Sequence, residues 1–283
     1  MEKFEEADLK KLYLPARDSH KGQNGKLTII GGSHLFHGAS LWALKVASRI
    51  VDMVFYSSVP ENNTLAEQLK GELYDLIAVP RKQVEDYIKE SDAVLIGPGL
   101  PREGGRVEDE ESTKNLTERL LKKFPDKKWI IDAGSLTEME PEWLKWLNGN
   151  AIITPHHKEF EDLFNQELGI RNQESWERIV SEAAKQHNCT ILLKGPIDII
   201  CSPRDRRVVE GGNEGMTKGG TGDVLAGLAA ALACKNDLFL AACAGSFINK
   251  KAGDELYKTM GPYFNASDLC DEIPKVMKEL IVG

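Results

Sequence analysis

Short apolar runs alternate along the chain with stretches in which apolar residues recur every three or four positions. The runs predict strands at residues 26–30, 53–56, 74–79, 93–96, 129–131, 151–153 and 190–193. Each is too short for a buried helix and stops at glycine, proline or a polar residue. Helical spacing predicts helices from 39 to about 50, at 81–89, 176–187 and 222–234, from 238 to about 260, and at 267–280. Residues 102–128 are the most charged part and read as a loop followed by a solvated helix at 112–123. Residues 197–201 and 207–210 read as an antiparallel pair around Ser202-Pro203-Arg204-Asp205. Apolar strands separated by helices imply parallel crossovers and a sheet covered on both faces, an α/β chain. With no internal repeat, low-complexity tract or linker, residues 1–283 read as one domain.

Ligands of open parallel sheets gather at the carboxyl ends of the strands. Here those ends carry Gly31-Gly32-Ser33, Gly97-Pro98-Gly99, Asp132-Ala133-Gly134, Thr154-Pro155-His156 and Lys194-Gly195-Pro196. Composition narrows the ligands. With 36 basic and 44 acidic side chains the net charge is −8, which argues against a partner made of nucleic acid or an anionic membrane. Cys189, Cys201, Cys234, Cys243 and Cys270 show neither disulfide nor zinc-ligand spacing. The charged N-terminus has no signal-peptide apolar region and no apolar run is long enough to span a bilayer, so a cytoplasmic protein is expected.

The strongest chemical feature is Gly219-Gly220-Thr221-Gly222-Asp223 at the head of an apolar helix. Glycines let the backbone approach a ligand, and the unpaired N–H groups of a helix start favour an anion. Asp223 is either a dipole-stabilised helix-start carboxylate or a general base beside an anion hole; the motif alone leaves both open. Neither a Walker-type Gly-x-x-x-x-Gly-Lys-Ser/Thr nor a Gly-x-Gly-x-x-Gly fingerprint is present, so phosphate chemistry would have to use the late glycine run. Lys218, just before that run, is placed to add positive charge beside a phosphate.

In order along the chain, Gly31-Gly32-Ser33 with Gly38-Ala39, Gly97-Pro98-Gly99-Leu100, Asp132-Ala133-Gly134-Ser135-Leu136, Thr154-Pro155-His156 with Glu159-Phe160, Leu193-Lys194-Gly195, and Gly212-Asn213-Glu214-Gly215-Met216 leading into the glycine run resemble the ADP/ATP-dependent NAD(P)H-hydrate dehydratases of the ribokinase-like superfamily. The resemblance implies a ribokinase-like fold, with a central, mostly parallel sheet and helices on both faces. It implies dehydration of the S-form of NADHX and NADPHX, nicotinamide cofactors hydrated at C6, by phosphorylation of the C6 hydroxyl and loss of phosphate. ADP, or ATP, is the implied co-substrate and Mg²⁺ the implied cofactor. Carried over by position, Asp223 accepts the hydroxyl proton; Gly220, Thr221 and Gly222 form the anion hole; Lys194, Gly195, Pro196, Ile197, Asp198 and Gly222 contact the nucleotide; and Ala39, Gly99, His156 and Asp223 contact the hydrated cofactor. Glu159 matches a position that places Mg²⁺ through water, though its position also suits a solvated first-turn carboxylate. Relatives commonly form homotetramers, and the epimerase often fused to this family has no counterpart here, so a separate epimerase is the expected partner. Glu214, Lys218 and Phe36 depart from the usual pattern. The competing readings are a hydroxymethylpyrimidine or hydroxyethylthiazole kinase, disfavoured by Gly-Asn-Glu-Gly-Met and Thr-Pro-His, and a non-catalytic nucleotide sensor.

Overall fold

The computed structural model describes residues 1–68, 75–102, 111–166 and 172–283. Nine strands form one sheet: β1 (Lys26–Ile30), β2 (Met53–Ser57), β3 (Ile77–Ala78), β4 (Ala93–Ile96), β5 (Lys128–Ile131), β6 (Ala151–Ile153), β7 (Thr190–Leu193), β8 (Asp198–Cys201) and β9 (Arg206–Val209), in the order β3-β2-β1-β4-β5-β6-β7-β8-β9. All pairings from β3 through β7 are parallel; β8 and β9 add an antiparallel hairpin. Lys3 bridges the outer side of β9 at Val208, so the N-terminal segment caps that edge.

The strands are apolar on both faces because both faces are covered. Leu27, Ile29, Leu95, Ile130, Ile152 and Leu192 point into one core, packed by α1 (Gly38–Ala47), α8 (Thr221–Ala233), α9 (Leu238–Met260) and α10 (Ala266–Met277). Their neighbours in the two-residue alternation, Ile30, Val94, Ile96, Trp129, Ile131 and Ile191, enter a second core. That one is closed by α3 (Val84–Glu90), α4 (Thr113–Lys123), α6 (His157–Leu163) and α7 (Gln173–His187). Small residues bring α1 and α8 unusually close: a Cβ on Gly227 would stand 2.6 Å from Ala43 Cα.

Several expectations shift in detail. The third strand shortens to Ile77–Ala78, and Tyr74, its expected start, lies outside the described residues. The helix at 81–89 opens as a 3-10 turn, Arg81–Gln83, before α3. The helix at 112–123 is α4, and it is not wholly solvated: Leu116, Thr117, Leu120 and Leu121 are buried. Helices α2 (Pro60–Gln68), α5 (Ala133–Glu138) and α6 have no counterpart among the expected elements. They are too short to show a periodic stripe.

Candidate active site

Because β1, β4, β5, β6 and β7 are parallel neighbours, their carboxyl ends form one row. Four inter-strand steps of ~4.8 Å make this row about 19 Å long. The chain leaves β1 towards β2 on one side and returns at β4 on the other, so the β1/β4 end is a topological switch point, the usual mouth of an α/β binding crevice.

At that end the polar surface is mostly backbone and small neutral side chains, with one charged group, the Arg81 guanidinium, donating to Gly31 O (3.2 Å) at the end of β1. Gly32 (φ 71°) has no space for a side chain: a Cβ would lie 2.2 Å from Asn62 Nδ2. Gly99 (φ 73°) faces the start of α1, with its would-be Cβ 2.8 Å from Phe36 O and 3.2 Å from Ala39 Cβ. The fold therefore brings Ala39 and Gly99 together, as the motif matches required.

At the β5–β7 end the side chains are charged. Asp132, ending β5, is almost fully buried; its Oδ1 accepts from Thr154 Oγ1 at 2.7 Å and from Lys194 Nζ at 3.1 Å. Glu159 Oε2 is 4.0 Å from the same ammonium. A Cβ on Gly222 would lie 3.6 Å from Lys194 Nζ, so the lysine stands over the first turn of α8, which also carries Asp223. Burial works against the charge of Lys194, but the Asp132 and Glu159 carboxylates outweigh it and hold its pKa above the usual lysine value. Asp223 is the mirror image. Burial first, and then the like charge of Asp132, push its pKa up to about 7, against the pull of Lys194.

Gly220 caps α8 in the left-handed conformation (φ 98°), and a Cβ there would strike the Trp42 ring at 2.5 Å. Both constraints require glycine, and they leave the N–H groups of Thr221 and Gly222 at an uncapped helix start. Thr221 turns its hydroxyl away from that start, its single proton shared between Met216 O (2.6 Å) and Lys218 O (3.0 Å), and its N–H makes a long bond to Lys218 O (3.4 Å). Lys218 does not add charge to the anion hole as the sequence suggested. Its Nζ donates to the carbonyls of Pro262 and Phe264 and lies 5.5 Å from the Phe264 ring centre.

His156 and Glu159 form a reciprocal cap on α6: His156 N donates to Glu159 Oε2 (2.9 Å) and Glu159 N to His156 Nδ1 (3.1 Å). The cap folds the Glu159 carboxylate inwards until its side chain is only 9% exposed, so it is not a solvated carboxylate. A cavity of about 570 Å³ joins this cluster to Gly195, Pro196, Gly212, Asn213 and Leu225. Asp198 borders the cavity, but its carboxylate accepts from Gly195 N (2.8 Å) and Ser246 Oγ (2.7 Å). Two participants were not singled out from sequence. Asp132 was visible only as one strand end among several, although an acid ending a buried strand is itself a signal. Lys250 sits in mid-helix, where no local pattern marks it.

Among the described residues no group of three or more His, Cys, Asp or Glu could by itself hold a metal ion. The donor set instead suits Mg²⁺ arriving with phosphate and water, which needs only one or two protein carboxylates. Three carboxylates around one lysine leave excess negative charge that a divalent cation would offset.

The nine-stranded, mostly parallel fold superimposes on that of a ribokinase-like superfamily protein from Enterococcus faecalis with a TM-score of 0.81 at 20% identity, over 100% of this chain and 97% of that one, so the fold is ribokinase-like. The family model for NAD(P)H-hydrate dehydratase matches residues 27–275, and the chain belongs to that family. It is 38% identical over 96% of its length to a bifunctional NAD(P)H-hydrate repair enzyme of Methanocaldococcus jannaschii, and spans 52% of that protein. It is 34% identical to an ADP-dependent (S)-NAD(P)H-hydrate dehydratase of Cenarchaeum symbiosum, covering 96% of each chain. The crystal structure of the ADP/ATP-dependent NAD(P)H-hydrate dehydratase from Bacillus subtilis, co-crystallized with ATP/Mg²⁺, superimposes with a TM-score of 0.79 at 24% identity, over 99% of this chain and 98% of that one. No helix among the described residues is long and apolar enough to cross a membrane.

Proposed function

We propose that this chain dehydrates the S-forms of NADHX and NADPHX, using ADP as phosphoryl donor and releasing AMP and phosphate. The observation that carries this is the carboxylate of Asp223, with a pKa near 7, set beside Lys194 at an uncapped helix start. The 570 Å³ cavity takes the nucleotide, with its phosphates towards Lys194 and the N–H groups of Gly220, Thr221 and Gly222. Gly195 and Pro196 form the wall beside it, while Ile197 packs against the second core behind that wall. The hydrated cofactor lies along the strand-end row, from Ala39 and Gly99 past His156 to Asp223.

Asp223 takes the proton of the C6 hydroxyl as its oxygen attacks the terminal phosphorus of ADP. A new O–P bond forms, the bridging O–P bond breaks, and AMP departs. Lys194 and the helix N–H groups stabilise the spreading phosphoryl charge, while the row holds donor and acceptor in line. The ring-nitrogen lone pair then expels phosphate from C6, the C5 proton leaves, and the C5–C6 double bond returns. Glu159 is the residue that would help hold Mg²⁺, which when bound with the nucleotide would offset phosphate charge.

The reading includes a cytoplasmic location and functional pairing with an NAD(P)HX epimerase, which supplies the S-form from the other stereoisomer. A homo-oligomer, with a tetramer as the expected assembly, remains part of this reading and rests on the motif resemblance alone. The test follows absorbance of the restored dihydronicotinamide after mixing the protein, Mg²⁺ and hydrated NADH with ADP or with ATP at equal concentration. Faster recovery with ADP supports the reading. Faster recovery with ATP transfers the co-substrate to ATP, and none with either nucleotide removes the dehydratase.

A further inference from the structure

The cavity's two walls come from distant parts of the chain, the β7–β8 turn and the loop after β9, and one side chain joins them. Lys250 reaches out from α9 and donates to Gly195 O (3.0 Å) and Pro196 O (3.1 Å) on one wall and to Gly211 O (3.3 Å) on the other. An ammonium has three protons, so these carbonyls use all of them and leave none for a ligand. Asp198 Oδ1, 3.4 Å away, supplies the counter-charge, and both residues are buried. Four residues on, Asp254 accepts from Gly212 N (3.2 Å) and Asn213 Nδ2 (3.2 Å), so the same helix face grips the second wall twice.

We infer that Lys250 is a positioning residue for the nucleotide: it fixes the separation of the two cavity walls and, through the β7–β8 turn, the placement of Lys194. This rests on the nucleotide reading of the cavity. It also gives Asp198 a different part from direct nucleotide contact, that of the buried counter-ion of the clamp. A buried pair of this kind is a poor source of net stability, because desolvation offsets the attraction, but removing one partner alone is costly. Stability and wall spacing can therefore be separated by substitution.

The test uses Lys250→Met, Lys250→Arg and the double variant Asp198→Asn/Lys250→Met, reading melting temperature, ADP·Mg²⁺ affinity by calorimetry, and amide exchange of both walls without ligand. Lys250→Met alone is expected to melt lowest, since it leaves the Asp198 charge buried. The double variant should regain much of the melting temperature, yet bind ADP about 10-fold more weakly and exchange faster in both walls, because three carbonyls still lack their donor. Lys250→Arg should recover part of the affinity. With hydrated NADH the loss should appear chiefly in KM for ADP, with a smaller fall in kcat as Lys194 shifts. A folded double variant that binds ADP as tightly as the unsubstituted chain, or whose walls exchange no faster, overturns the inference. Faster-exchanging walls in a protein whose unsubstituted form binds neither ADP nor ATP overturn the nucleotide reading and, with it, the positioning role.

Discussion

The two ends of the strand-end row have opposite chemistry. At β1/β4 the crevice is lined by glycines and backed by a network of uncharged groups around a single cation: Ser40 Oγ and Tyr56 OH lie 2.8 Å apart, Asn62 Nδ2 donates to Ser58 Oγ at 3.0 Å, Asn62 also contacts His37, and Arg81 donates to Gly31 O at 3.2 Å. At β5–β7 the lining is Asp132, Glu159, Lys194 and Asp223, each shifting or balancing another's charge. The first end selects by shape, because glycine at positive φ fixes where backbone can stand. The second handles charge, because buried like and unlike charges there hold a carboxylate ready to accept a proton near neutral pH. A reaction that moves a phosphoryl group onto a bulky uncharged ring needs both.

The largest break in this contrast comes from Asp223→Asn. Turnover should fall about 10³-fold while ADP affinity stays within a few-fold, measured by steady-state kinetics beside calorimetry; unchanged turnover would discard the base. The same substitution should stabilise the fold. A folded pKa of about 7 against an ordinary 3.8 means that Asp223 costs stability as pH rises between these values. The melting temperature of the Asn variant should therefore exceed that of the unsubstituted protein by several degrees at pH 8, with the gain fading towards pH 4.

Next is Lys194→Met, which leaves Asp132 buried without its cation. About 3 kcal/mol of stability should be lost in denaturant unfolding. Losing the ammonium that holds the Asp223 pKa down should also move the acid limb of the kcat/KM pH profile upwards. A limb that stays in place would mean Lys194 does not tune the base.

Smaller again is Gly99→Ala. The added methyl group meets Phe36 O at 2.8 Å in a left-handed backbone. KM for the hydrated cofactor should rise about 10-fold with ADP affinity unchanged, confining the damage to the neutral end. The smallest effect is expected for Lys218→Ala. Its ammonium is committed to Pro262 and Phe264, so ADP affinity should hold within about 2-fold while the melting temperature drops slightly. A large loss of affinity would return Lys218 to the anion hole.

Much of the sheet was legible in the sequence because its strands are apolar on both faces and end in glycine or polar residues: the runs at 26–30 and 93–96 correspond to β1 and β4 without adjustment. The helix α9 was equally plain, since 23 residues give periodicity room to repeat. Helix α6 was hidden, because its seven residues owe their start to the His156–Glu159 cap rather than to an apolar stripe. The glycine run and Asp223 were visible as a motif, but the two readings of Asp223 were not separable there.

The α/β alternation, the family motifs and the glycine positions are written locally along the chain, since they depend on local sterics and short-range periodicity. Which side chains meet is a product of folding. It placed Asp132 beside Lys194, turned Lys218 away from the anion hole and put Lys250 between two walls of one cavity. Those outcomes depend on burial and on charges brought together from residues far apart along the chain, where no local pattern records the distance or the dielectric between them.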